Sequence, residues 1–474
     1  MLLIQAGSKS LKDDMSMVTM LLAGVQGTPA GRRDKDELKA SNMWESCIVR
    51  VEMKGAMPMK RLVGLHVVCL IVLMVGFGVA AEEIYLTFTA WGGLSHQLAY
   101  QDLAQAFSDQ HPNIFIEFVP DTGGYVDKMK ASVLANTGPD IYFTQEMQTV
   151  GFIDEGWLIS LNEYIANSPE LISQIHEPLF NSFTWKGVIG SLPVVTFVSM
   201  FYYNPVLFQE AGLPLPESIS WDDLVNLGKV LTKKSSDGHV IQYGHRVEYE
   251  PNFCLYYLWQ NGGGILDESC RNSILNTDAT RGAVDFIYDL AWLHEIIPKP
   301  WEMGEYLLEL GNLAMYTHGS WMTGYYDELF GFNDFDALPV PIGKYEVSMA
   351  YPNGFGISAA SPHPDEAWEF LKFASGPEGQ RILAAAGLGI PINSDPSVAA
   401  VYLEGRTMKQ RRAALEAVTT AQAPRVVPGM QDDIIARYVW PLLDQVWTNQ
   451  RPVTQVLQEL DRLVQQYLDQ VYAR

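Results

Sequence analysis

This sequence is short of cysteine and of positive charge. Its four cysteines form no CxxC pair, and none of its nine histidines lies in an HExxH or cysteine–histidine ligand spacing, so zinc chemistry has no motif to rest on. Lys and Arg number 32 against 55 Asp and Glu, a net charge of −23, which works against binding nucleic acid or an anionic membrane surface. A GxSxG elbow and a Walker loop are missing too. Gly262-Gly263-Gly264 lacks the lysine and helix start of a phosphate cradle and reads as a turn. Neither a metal nor another cofactor is expected.

What is present begins with a targeting pattern. Lys60-Arg61, the uncharged Leu62–Val79 and the small-residue ending at Ala81 have the three-part form of a secretory signal peptide, 59–81, with cleavage after Ala81. The apolar run approaches the ~18 residues of a spanning helix, so an uncleaved signal would serve as an anchor. Cys69 lacks the small residues that precede a lipid-modified cysteine. Met57 or Met59 is the expected start, and residues 1–58 read as a disordered or misassigned N-terminal extension. Outside the cytosol, Cys254 and Cys270 can pair or remain thiols.

Residues 82–474 are long enough for two domains at ~100–200 residues each. Ile84, Leu86 and Phe88 alternate as on one face of a strand. A helix over 95–110, stopped by His111-Pro112, leads to a second strand over 114–118: a βαβ unit, hence a parallel pair. A helix over 125–136 and a strand over 140–143 follow. Ligands in open α/β sheets sit beyond the carboxyl ends of strands, where Trp91-Gly92-Gly93 and Thr144-Gln145-Glu146 stand. The apolar run 192–205 is too long for one modest strand and too rich in β-formers for a helix, which suits a passage between domains. Further helices are predicted over 221–231, 280–294, 364–373 and 452–472, and strands over 313–316, 337–341 and 354–358.

Aromatics give the strongest chemical signal. Trp157, Trp292 and Trp368 read as core residues on helical stripes. Trp91, Trp259 and Trp321 instead sit beside Gly or Asn, and a flat indole beside polar groups suits a sugar, whose C–H face packs on the ring while its hydroxyls take hydrogen bonds.

With these residues stand TFTAWGG, YVDKMKASVLANTGPDIYF, MFYYNPVLFQEAGLPLPESISWDDL, LWQNGGGIL, GNLAMYTHGSW, NGFGISAASPHPDEAWEFLKFASGPEGQ and RVVPGMQDDI. In that order and spacing the chain resembles the extracellular solute-binding proteins of ABC importers, family 1, the group that includes maltodextrin-binding proteins. The resemblance implies an α/β, two-lobe periplasmic-binding-protein fold of type II, each lobe a mainly parallel sheet flanked by helices, joined by hinge strands. Residues 82–197 with 357–402 would form the N-terminal lobe and 198–356 with 403–474 the C-terminal lobe, with crossings at Pro193–Tyr203 and Gly354–Ala360. Carried over by motif, the ligand residues would be Trp91, Gly93, Ser95, Tyr125, Gln145 and Glu146 on the first side, and Asn252, Trp259, Trp321, Asn353 and Asp432 on the second. Trp321, in the GSW motif, is the foremost of these. Thr144-Gln145-Glu146 stand where maltodextrin binders carry a tryptophan and a charged pair, so carbohydrate is implied and maltodextrin itself is not.

The implied protein is a non-catalytic monomer of the periplasm or cell exterior. It would close on a carbohydrate and deliver it to ABC permease subunits, meeting the membrane only through the permease or an uncleaved signal. A non-sugar solute stays open. A glycerol phosphodiester needs Arg or Lys, which these loops do not supply; a polyamine or peptide would use Glu146 and the Asp432-Asp433 pair. A secreted glycosidase or lyase needs two carboxylates facing each other across the cleft.

Overall fold

Alternation along Ile84–Trp91 buries Leu86, Phe88 and Ala90 and leaves Tyr85 exposed, so this segment can only be a strand with one face on a core. In the computed structural model the described residues are 82–121, 123–135, 137–175, 178–330, 335–405 and 407–473. The signal reading over 59–81, Cys69 and the extension before it lie outside them. The elements that position the site are β1 (Ile84–Trp91), α1 (Leu94–Gln110), β2 (Ile114–Asp121), α2 (Tyr125–Leu134), β3 (Ile141–Gln145), α3 (Glu146–Asp154), β4 (Leu192–Tyr203), α4 (Pro251–Gln260), β5 (Met315–Gly319), β6 (Asp336–Pro339), β7 (Ser348–Ile357), α5 (Met408–Val418), a π-helical segment Met430–Val439 and α6 (Val453–Ala473).

β1 runs parallel to β2 from Ile84↔Ile114 to Trp91↔Asp121, and parallel to β3. The sheet order is β6-β4-β7-β3-β1-β2. β4 and β7 are antiparallel and change partners along their length. The first half of β4 pairs with β7 (Leu192↔Phe355 to Val198↔Ala350), and its second half pairs with β5 and β6. β7 pairs with β3 from Asn353↔Gln145 to Ile357↔Ile141 and with the short strand Ala421–Gln422 near its start. Every residue of both strands is buried. A strand covered on both faces reads as an unbroken apolar run, and each fully buried large side chain contributes roughly 1.5–3 kcal/mol.

Several expectations change here. The run 192–205 contains a single twelve-residue strand, stabilised because four other strands pair along it in turn. The strand expected over 354–358 extends back over Ser348–Ile357; Pro352 and a bulge at Asn353/Gly354 hide its first half from a periodicity search. The strand expected over 313–316 is shifted to Met315–Gly319. Trp157 is on no helical stripe: α3 ends at Asp154, Gly156 turns the chain at φ 72, and the indole stacks on Phe152 at 5.3 Å. Cys254 and Cys270 are both free thiols, the first buried inside α4 with its Sγ donating to the Glu248 carbonyl at 3.3 Å. No helix among the described residues is long and apolar enough to cross a membrane.

Candidate functional site

Two strand ends deliver the first wall of the site. β1 stops at Trp91, and the chain turns at Gly92, φ 142, where a Cβ would lie 2.5 Å from the Cβ of His96. Only glycine fits that approach. Gln97 Nε2 donates to the Gly92 carbonyl at 3.0 Å and fixes the turn against α1. The Trp91 ring packs on Tyr125 at 4.7 Å and Phe143 at 4.5 Å, and Tyr125 Oη donates to the Phe143 carbonyl at 2.7 Å. Sheet register makes Gln145, at the end of β3, the Cα partner of Asn353 in β7. Two amides from distant parts of the chain thereby share one rim.

The second wall comes from the end of β5. Ser320 ties it to β4: its N–H donates to the Val198 carbonyl at 2.8 Å, and its Oγ accepts from Val198 N–H at 3.2 Å. The next residue, Trp321, lays its ring over Gly319, where a Cβ would come within 2.1 Å of it. Tyr351 meets that indole edge-on at 5.1 Å and 79°, with His318 at 5.3 Å and Phe197 at 5.6 Å around it. Burial holds the His318 ring neutral, its pKa pushed down to about 4.

Between these walls is a cavity of about 580 Å³ that includes Trp91, Gln145, Trp321, Tyr351 and Asn353 in its lining. Trp91 also borders two shallower depressions of about 440 and 260 Å³. The second of these shares Gln145 with the main cavity and shares Gln148 with a polar cavity of about 540 Å³ lined by Lys130, Glu155, Trp157 and Asp432. The shared residues make one groove with an aromatic end and an ionic end.

Six of the expected residues line the aromatic cavity: Trp91, Gly93, Ser95, Gln145, Trp321 and Asn353. Tyr125 sits behind Trp91 in the shallower depressions, and Asp432 is at the ionic end, bridged to Lys130 at 2.5 Å. Glu146 lines none of these cavities. It is 4% exposed at the start of α3, and burial pushes its carboxyl up to about 8. Asn252 lies behind the ionic end and donates to Gln431 Oε1 at 3.2 Å. Trp259 is not brought to the groove: it lies near the far end of α4, where a Cβ at Gly264 would lie 3.6 Å from its ring. The sequence reading missed Tyr351, Phe197, His96 and Arg411. Tyr351 had a signal, since it stands two residues before Asn353 on the same face of a strand. Arg411 corrects a premise: the expected loops carry no basic side chain, but α5 supplies one to the same cavity. Among the described residues no cluster of three His, Cys, Asp or Glu could hold a metal ion.

Residues 93–381 match the family described as bacterial extracellular solute-binding protein. The chain belongs to that family. Among its relatives is the arabinooligosaccharide-binding protein of Halalkalibacterium halodurans, 24% identical over 313 residues that cover 62% of this chain and 67% of the relative. The fold superposes on an ABC substrate-binding protein of Listeria monocytogenes solved with cycloalternan, with a TM-score of 0.74, 18% identity and coverage of 82% and 100% of the two chains. It also superposes on UgpB of Mycobacterium tuberculosis in complex with glycerophosphocholine, with a TM-score of 0.68, 18% identity and coverage of 82% and 99%. The fold is the two-lobe architecture of these binding proteins.

Proposed function

We propose that this solute-binding protein is the sugar receptor of an ABC importer, taking an oligosaccharide into the groove and presenting it to a membrane permease without catalysis. The observation that carries the reading is the pair of indoles, Trp91 and Trp321, on opposite walls of one cavity with the neutral amides of Gln145 and Asn353 in its lining. Flat rings take the C–H faces of pyranoses, and amides both donate and accept for hydroxyls. Sugar-binding relatives and fold neighbours support the same class. The ligand set we assign is Trp91, Gly93, Ser95, Gln145, Trp321, Tyr351 and Asn353. Hinge closure about β4 and β7 would bury the sugar, in the manner known for periplasmic binding proteins. The lobes we assign are 82–197 with 357–402, and 198–356 with 403–474. Residues 59–81 would export the chain, which we place outside the cytosol as a monomer.

The test is a thermal-shift and tryptophan-fluorescence screen of the purified protein against neutral and acidic oligosaccharides at millimolar concentration. A ligand at a hundred times its Kd adds about 2.7 kcal/mol of stability, enough to move the melting temperature by a few degrees. No shift with any saccharide, together with unchanged fluorescence, would overturn the sugar reading.

A further inference from the structure

The aromatic cavity has one feature that a neutral sugar does not require. Part of its wall is built by Gly387–Gly389, Tyr402, Thr407 and Arg411. The Arg411 guanidinium is held firmly there. Nη1 donates to the carbonyls of Tyr402 at 2.8 Å and Glu404 at 3.2 Å, the group lies 5.4 Å from the centre of the Tyr402 ring, and a Cβ at Gly387 would lie 2.5 Å from Nη2. Gly387, at φ 70, is thus a position where a side chain would collide with the guanidinium.

Nε and Nη2 make no hydrogen bond to any described residue, and no described carboxylate pairs with Arg411. The ionic end of the groove is different: there Lys130 is bridged to Asp432 and Arg437 to Asp433. The cavity wall has one carboxylate among its described residues, Asp327, and that residue already has an interaction partner. On the α1 side His96 also lines the cavity, and it likewise has a partner. A guanidinium fixed at one edge, with donors left over in a planar fork, is shaped to receive a carboxylate or phosphate. The first turn of α1, Leu94 to His96, borders the same cavity without a capping side chain or an acidic residue, which adds positive potential on that side.

We propose that Arg411 is a specificity-determining residue of this cavity, and that the saccharide it takes carries an acidic group, a carboxylate or a phosphate, placed against the Arg411 fork while a neighbouring ring lies between Trp91 and Trp321. The proposal rests on the sugar-receptor reading. It reverses the bias expected from a chain of net charge −23, because a fixed local cation, desolvated by the ligand, outweighs distant screened carboxylates.

The experiment is isothermal titration of the full-length protein at pH 7 with galactotriose, the trisaccharide of galacturonic acid, glucose 6-phosphate and glycerophosphocholine. These titrations are repeated with Arg411→Gln and Arg411→Lys. An acidic saccharide should bind about tenfold or more tighter than its neutral counterpart. That preference should weaken with added salt, vanish in Arg411→Gln and return in part in Arg411→Lys. Uronate against phosphate identifies which acidic group is used. Equal or tighter binding of the neutral trisaccharide overturns the inference and leaves the sugar reading standing. Equal loss for acidic and neutral ligands in Arg411→Gln, accompanied by a lowered melting temperature, also overturns it, because Arg411 would then only brace the 402–411 connection. Binding of glycerophosphocholine with no saccharide bound would overturn the sugar reading and this inference together.

Discussion

The two ends of the groove are lined in opposite ways. At the aromatic end the rings of Trp91, Trp321 and Tyr351 meet the uncharged amides of Gln145 and Asn353. At the ionic end the charges answer one another: Lys130 with Asp432, Arg437 with Asp433 at 3.0 Å, and Tyr467 Oη donating to Asp433 at 3.0 Å. Side chains already bonded to each other have little left for a ligand, whereas half-buried indole faces in a concave wall gain from covering. On that difference we expect binding strength to come from one end and alignment of the two walls from the other.

The largest effect should therefore come from the rings. Trp321→Ala and Trp91→Ala are each expected to weaken the best-binding saccharide by about 30-fold or more, the scale of an anchor residue losing ~2 kcal/mol. Trp157→Ala, at the ionic end, should change affinity less than about threefold. Titration calorimetry on the three variants checks the contrast, and a Trp157 loss as large as that at Trp321 would erase the distinction between the ends.

Glu146 sits at the boundary, between Gln145 of the aromatic cavity and Met147 of the ionic one. Burial raises its carboxyl from an ordinary 4.5 to about 8, so the folded protein keeps a proton that the unfolded chain releases. Stability should accordingly fall as pH rises from about 4.5 to about 8 and level off above that, a change on the order of 5 kcal/mol from this group. Glu146→Gln should remove that slope, match the parent near pH 4.5 and exceed it at pH 8. Denaturant unfolding at three pH values measures it, and equal slopes in the two proteins would show that the carboxyl is solvated.

What could be read beforehand follows the same divide between local and distant information. The β1–α1–β2 frame was legible because alternation, helical spacing and the His111-Pro112 stop are all local, and strand ends pointed to Trp91 and Gln145. Trp259 misled because LWQNGGG spells a loop, yet α4 is buried around most of its circumference and shows no stripe by which to recognise a helix. Asn252 and Trp259 lie two turns apart on that helix, a spacing that suits one wall, but Asn252 is engaged with Gln431 and Trp259 lies against Gly264. Arg411 was illegible for another reason: nothing near it in sequence says that α5 docks against β4 and β6 and so carries it to the cavity. Asn353 was placed from its motif, while its meeting with Gln145 depends on a register between β3 and β7 that only the assembled sheet displays.

The smallest effect tests the ionic end itself. Asp432 was expected to touch ligand, but here its partner is Lys130 on α2, across the groove from the segment Met430–Val439. The hydrogen bond to Asp432 raises the Lys130 ammonium pKa, and both side chains are more than a third exposed, so solvent screening limits the pair to about 0.2–1 kcal/mol. If the pair only aligns the walls, Lys130→Met and Asp432→Asn should weaken saccharide binding equally and by less than about fivefold. The double variant should be no worse than either, and 0.5 M salt should mimic all three. If Asp432→Asn alone costs more than about tenfold while Lys130→Met is neutral, the carboxylate is a ligand contact, and the ionic end takes part in recognition as directly as the aromatic one.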